Sequence, residues 1–116
     1  MDYTESILDS IKKLLGITSE YTSFDMDIII HINTVFMALR QMGIGPKEGF
    51  SIEGNGEIWT DFSPKIEMLE AVKTYIYLKV KLIFDPPLNS SVIEVYNKTL
   101  SELEWRLYSE VEFPVE

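Results

Sequence analysis

Between Ser63-Pro64 and Asp85-Pro86-Pro87 lies a segment that is apolar on two opposite faces of a helix. Leu69, Ile76 and Ile83 recur at sevens with Val72 and Val80 between them, while Ala71, Tyr75, Leu78 and Leu82 step by 4, 3 and 4. At about 100° per residue the two sets point in opposite directions. Such a helix must be covered on two sides, so the chain cannot fold as a single layer. Its limits are equally definite. Serine followed by proline at the first helical position opens a helix. Asp-Pro-Pro closes it near Phe84, because proline cannot continue a helix and restricts the residue before it.

Three further helical segments surround this one. The first covers residues 4–15, with Ile7, Ile11 and Leu14 on a stripe and Gly16 placed to stop it. The second follows a polar linker; Thr22 or Ser23 can cap it, Asp25 and Asp27 favour its first turn, and Gly43 sits just past its end at Met42. Its Ile28, Ile32, Val35, Leu39 and Met42 step by 4, 3, 4 and 3, with Met26, Ile30 and Met37 nearly opposite. The fourth opens at Ser91-Val92-Ile93-Glu94, which has capping-box spacing, and runs to Tyr108 or Ser109 along Ile93, Tyr96, Leu100, Leu103 and Leu107. Between the second and third, Phe50-Ser51-Ile52 and Glu57-Ile58-Trp59 flank Glu53-Gly54-Asn55-Gly56, which reads as a hairpin. The expected fold is therefore mainly α: a small four-helix bundle with a short β-hairpin between helices 2 and 3. One domain spans residues 1–109, and 110–116 form an acidic C-terminal tail. Two doubly apolar helices leave two outcomes open. Either the other helices and the hairpin cover the second faces, or a neighbouring subunit does, with Met supplying adaptable contacts.

Composition narrows the function. With 116 residues, 19 Asp+Glu against 10 Lys+Arg and a net charge of −9, the chain is a poor reader of nucleic acid. It has no cysteine, which removes disulfides, thiolate metal sites and thiol nucleophiles. The start, Met1-Asp2-Tyr3-Thr4-Glu5, is acidic where a secretory signal would be basic. The longest uncharged run, residues 28–39, is 12 residues against the roughly 20 of a membrane span.

No catalytic, metal or cofactor site emerges. His31, the one imidazole, lies near Asp27 at i−4, but no nucleophile is announced. Glu67 and Glu70 at i, i+3 could hold Mg²⁺ as in helical nucleotide pyrophosphohydrolases, yet the needed second pair is missing, since Glu102 and Glu104 point apart. The glycine-rich stretch Gly43-Ile44-Gly45-Pro46 follows a helix and carries proline where a phosphate loop needs a donor. Trp59 reads as an anchor for the hairpin, while Trp105, off its helix's main stripe between Glu104 and Arg106, suits a partner contact.

Several stretches together carry a resemblance. They are Thr22-Ser23-Phe24-Asp25 leading into Ile28-Ile29-Ile30-His31-Ile32-Asn33, then Leu39-Arg40-Gln41-Met42-Gly43-Ile44-Gly45-Pro46, Gly49-Phe50-Ser51-Ile52 and Trp59-Thr60-Asp61-Phe62. The aromatic-rich helix from Val72 to Asp85-Pro86-Pro87 and Glu102-Leu103-Glu104-Trp105-Arg106-Leu107 complete the set. In this order and at this length the sequence resembles the head–tail connector (adaptor) proteins of long-tailed bacteriophages and prophages. The resemblance implies a structural protein, not an enzyme, found at the head–tail interface of the virion and assembled in the host cytoplasm. It implies a homo-oligomeric ring of twelve under the portal protein, formed from a chain that is monomeric alone. Such a ring extends the DNA channel without sequence-specific binding and docks the next head-completion, stopper or tail protein. By position, Val111, Glu112, Phe113, Pro114, Val115 and Glu116 are nominated for portal docking, and Glu53, Gly54, Asn55, Gly56 and Glu57 for the ring or channel loop. The subunit interface would use Met26, Ile30, Met37, Tyr75, Leu78, Leu82 and Trp105. Two alternatives from other classes stand beside it: a regulatory adaptor binding a partner helix through the Met-containing face, and the Mg-dependent hydrolase.

Overall fold

The computed structural model describes residues 3–112 of the chain. Five helices organise them: α1 (Ile7–Leu14), α2 (Asp25–Gln41), α3 (Trp59–Phe62), α4 (Ile66–Phe84) and α5 (Ser90–Glu112). The fold is a mainly helical bundle in which α4 packs against α1, α2 and α5. Both apolar sets of α4 enter the core: Leu69, Val72, Ile76 and Val80 from one, Tyr75 and Leu78 from the other, while Ile83 at the C-terminal end stays exposed. On α2 the Ile28 stripe is buried together with Phe36, and on α5 Leu100, Leu103 and Leu107 are.

The helix ends follow from local chemistry, with some shifts from expectation. Gly43 stops α2 at φ +84°, a backbone conformation that favours glycine. Its N–H bonds Arg40 O while that of Ile44 bonds Leu39 O, both at 2.9 Å, and Ile44 folds into the core. These are the paired bonds and apolar contact of a Schellman stop. Neither Thr22 nor Ser23 caps α2 with its side chain; Phe24 takes the cap position. Asn89 Oδ1 accepts from Ser91 N at 2.8 Å, so α5 begins one residue before the expected box and continues to Glu112. Ser63 Oγ accepts from Lys65 N at 3.1 Å just ahead of α4.

The expected hairpin between helices 2 and 3 is not formed, because its backbone groups bond elsewhere. Asn33, from α2, receives Ile52 N–H at 2.8 Å and donates to Ile52 O at 2.9 Å, pairing with that residue as a strand would. Glu57 O accepts Ile7 N–H at 2.9 Å, and Ser6 and Ile58 make an isolated antiparallel bridge. The Glu57 carboxylate turns back to accept Glu53 N–H at 2.7 Å. With these donors and acceptors committed, the chain runs as a loop into α3. Trp59 then anchors that loop: fully buried, its indole N–H donates to Ser10 Oγ at 3.0 Å, and Ser10 in turn donates to Ser6 O. Phe36, Phe50 and Phe62 close the space beneath with ring centroids 5.0–5.5 Å apart. Phe62 reaches so near Gly45 that a Cβ there would lie 2.5 Å from the ring, which is why glycine occupies this position.

One buried charge ties three segments together. The Lys12 ammonium, on the last turn of α1, donates to Tyr21 O at 2.7 Å and Ser19 O at 3.2 Å and pairs with Asp25 Oδ1 at 2.7 Å. Two hydrogen bonds and one ion pair thus surround the ammonium, which is how a fully buried cation is tolerated. Replacing Lys12 by Met strands the Asp25 carboxylate and two carbonyls. The expected loss is about 3 kcal/mol, at the low end for a broken buried pair because Asp25 is partly exposed. Urea denaturation of the variant, with circular dichroism to confirm retained helix, measures it.

Candidate assembly surface

The described surface offers a face rather than a catalytic cleft. Along α2, Met26, Ile30 and Met37 are 75%, 55% and 61% exposed. The reason lies in the stacking. The opposite stripe of α2 enters the core with α4, and among the described residues none covers Met26, Ile30 and Met37 on the outer one. The first half of this face borders a groove of about 710 Å³, floored by Leu8, Met26, Ile29 and Ile30 and closed by Asp25 and the 53–55 loop.

Tyr75, Leu78 and Leu82, placed with this face as subunit contacts, require a correction. Tyr75 and Leu78 are buried and Leu82 packs against the core, because helix α5 of the same chain covers that side of α4. The Tyr75 hydroxyl donates to Glu104 Oε2 at 3.0 Å, fastening α4 to α5. Burial pushes the Tyr75 phenol well above its ordinary value, and the Glu104 carboxylate adds to the shift. Glu104 therefore points inward, whereas Trp105 beside it is 72% exposed.

The loop residues divide in role. Glu53, Asn55 and Gly56 are exposed, while Glu57 is half-buried and serves as the acceptor that closes the loop. At the end of α5, Val111 lies against Gly43, where a Cβ would be 3.2 Å from a Val111 methyl. Glu112 ends the described helix, and Phe113, Pro114, Val115 and Glu116 lie outside the described residues.

Other chemistry finds no constellation. His31 is half-buried on α2. Glu67 and Glu70 stand exposed on α4, and no group of three or more His, Asp or Glu among the described residues is placed to hold a metal ion. No helix among the described residues is long and apolar enough to cross a membrane. Sequence reasoning missed Lys12 and Asn33, two of the polar side chains that fix the loops. A signal for the first was present: Lys12 stands four after Leu8 and three before Leu15, on an apolar stripe where a lysine is out of place.

A family model described as phage connector protein matches residues 7–113. No curated protein and no solved structure matches the chain.

The raised Tyr75 value makes a pH prediction. A phenol that titrates higher in the folded chain than its unfolded value of about 10 adds stability below that pH and loses it as pH rises further. Denaturant midpoints should therefore fall above about pH 10, and fall less in Tyr75→Phe. Parallel urea titrations of both proteins between neutral and alkaline pH check this.

Proposed function

From the premise that this chain belongs to the phage connector family, we propose that it works as a head–tail connector, a structural component of the bacteriophage virion that forms a ring beneath the portal. The observation that carries the ring is the uncovered apolar face of Met26, Ile30 and Met37. On the opposite stripe Ile28, Ile32, Val35 and Leu39 are buried and Met42 packs against the core, so this face is not a general failure of the core. Fully burying a Met or Ile side chain contributes roughly 1.5–3 kcal/mol, so the three together are a sufficient anchor for a subunit contact. The ring has twelve copies, forms on the portal from chains that are monomeric alone in the host cytoplasm, and presents its far side to the next completion or tail protein. The connector domain is residues 1–109, and the segment 110–116, whose residues 110–112 complete α5, is the portal-docking element.

The charge suits a channel. DNA passing through a ring that carries −9 per copy meets repulsion, not the attractive phosphate contacts that each Lys or Arg would add. The 53–57 loop belongs to the ring contact or borders this channel, with the Glu57 carboxylate closing it through Glu53 N–H. A regulatory adaptor that binds a partner helix would use the same α2 face, but the family match favours the virion.

Two variants separate assembly from folding. Ile30→Asp changes an exposed side chain and should shift stability by no more than about 0.5 kcal/mol, whereas Leu78→Asp buries a charge and should unfold the protein. Added to capsids that lack the connector, folded Ile30→Asp should leave the vertex bare in electron micrographs where wild type forms a ring. A normal ring with Ile30→Asp overturns the α2 contact. For the channel, Gly56→Lys, at an exposed loop position outside the α2 groove with open space around it, should form rings yet slow DNA ejection from assembled particles; wild-type ejection kinetics would remove the loop from the lumen.

A further inference from the structure

The ring reading above leaves open what seats on the α2 face, and a second patch on the same chain answers it. On the outer side of α5, Lys98, Ser101, Glu102, Trp105 and Arg106 fall at i, i+3, i+4, i+7 and i+8 and line one shallow depression. The Trp105 indole is 72% exposed. Among the described residues neither Lys98 nor Arg106 joins an ion pair within the chain. Two cations, with Glu102 between them, thus bracket an exposed indole on this face. Exposed Trp next to Arg is also the composition of a protein-binding hot spot.

The α2 groove has the complementary character. Its floor is apolar, from Met26, Ile29 and Ile30, and its side chains of formal charge are the carboxylates Asp25 and Glu53. Methionine adapts its shape to an incoming ring and makes favourable sulfur–aromatic contacts. Both patches are exposed in the one chain, so neither fills the other intramolecularly. They are different surfaces on different helices. Joining them between copies makes a heterologous, head-to-tail contact, the kind that closes into a ring and not into a two-fold dimer.

We infer that Trp105 of one copy seats in the α2 groove of the next, the indole on Met26 and Ile30, with Arg106 and Lys98 facing Glu53, the groove carboxylate that Lys12 does not neutralise. Glu102, on the same α5 stripe, fixes the register, since a slipped pairing would set it against the groove's carboxylates. The partner surface is thus a second copy of this chain, recognised by an aromatic anchor within a basic-to-acidic rim.

Because the chain has no cysteine, paired substitutions test the contact cleanly. Ser101→Cys lies one turn from Trp105 and leaves the indole in place, and Ile30→Cys lies in the groove. On portal-bound rings under mild oxidation, the double variant should give a ladder of covalent multimers, while each single variant stays monomeric. In parallel, Glu53→Arg and Arg106→Glu should each weaken retention on portals about tenfold, and the two together should restore it. Rings visible at the vertex with no ladder and no charge rescue overturn this pairing while leaving the ring intact. Disulfide dimers from Ile30→Cys alone would mean a symmetric contact and also overturn it. No ring at the vertex would remove the ring reading and the pairing with it.

Discussion

The burial of α4 on two opposite faces is the constraint from which the other placements follow. Leu69, Val72, Ile76 and Val80 need one cover and Tyr75 and Leu78 another. Helix α5 supplies the second through Leu100, Leu103 and Leu107, and α2 with α1 supplies the first. A stack of helices ends wherever a helix has a polar outer face. α5 presents a mixed outer side, with Lys98, Ser101, Glu102 and Arg106 outward beside the exposed Trp105. α2 presents an apolar one in Met26, Ile30 and Met37. The two edges of the bundle therefore differ in character, and that asymmetry is a physical basis for association between copies.

Within this frame, single polar side chains do what longer secondary structure does elsewhere. Asn33 replaces a neighbouring strand for Ile52, Lys12 gathers the α1–α2 linker around one ammonium, and the Trp59–Ser10 bond holds the second loop to α1. Each reaches beyond its own element, Lys12 into the following linker and Asn33 and Trp59 much further along the chain, so its partners cannot be read from helical spacing. This is why the hairpin expectation failed. Alternation around an Asn-Gly-type turn describes local preference, but strands persist only if their backbone groups have each other as partners. Here Asn33, Ser6, Ile7 and the Glu57 carboxylate had taken them.

The acidity of the chain acquires a spatial meaning as well. Carboxylates such as Asp25, Glu57 and Glu104 are drawn into intramolecular bonds, whereas Glu53 remains outward. The net −9 is thus unevenly available, and two cations on the α5 face stand apart from it. Charge segregation of this kind lets one chain repel a polyanion and still attract a copy of itself.

Taken alone, the sequence determined the helical class, the four long helices within a few residues, the glycine stop at Gly43 and the two-faced character of the middle helices. These depend on periodicity and backbone chemistry, which act over a turn or two. It also determined the family resemblance, because residue identities in order carry descent without requiring a structure. Tertiary structure alone decided which second face is covered, placing Tyr75 and Leu78 inside and leaving Met26, Ile30 and Met37 out. It alone decided that Lys12 is a core residue and that residues 50–58 form a loop. The physical reason is common to all three. Two apolar faces look alike in sequence, and only the position of a third helix, set by the whole chain's packing, makes one of them a core and the other a surface.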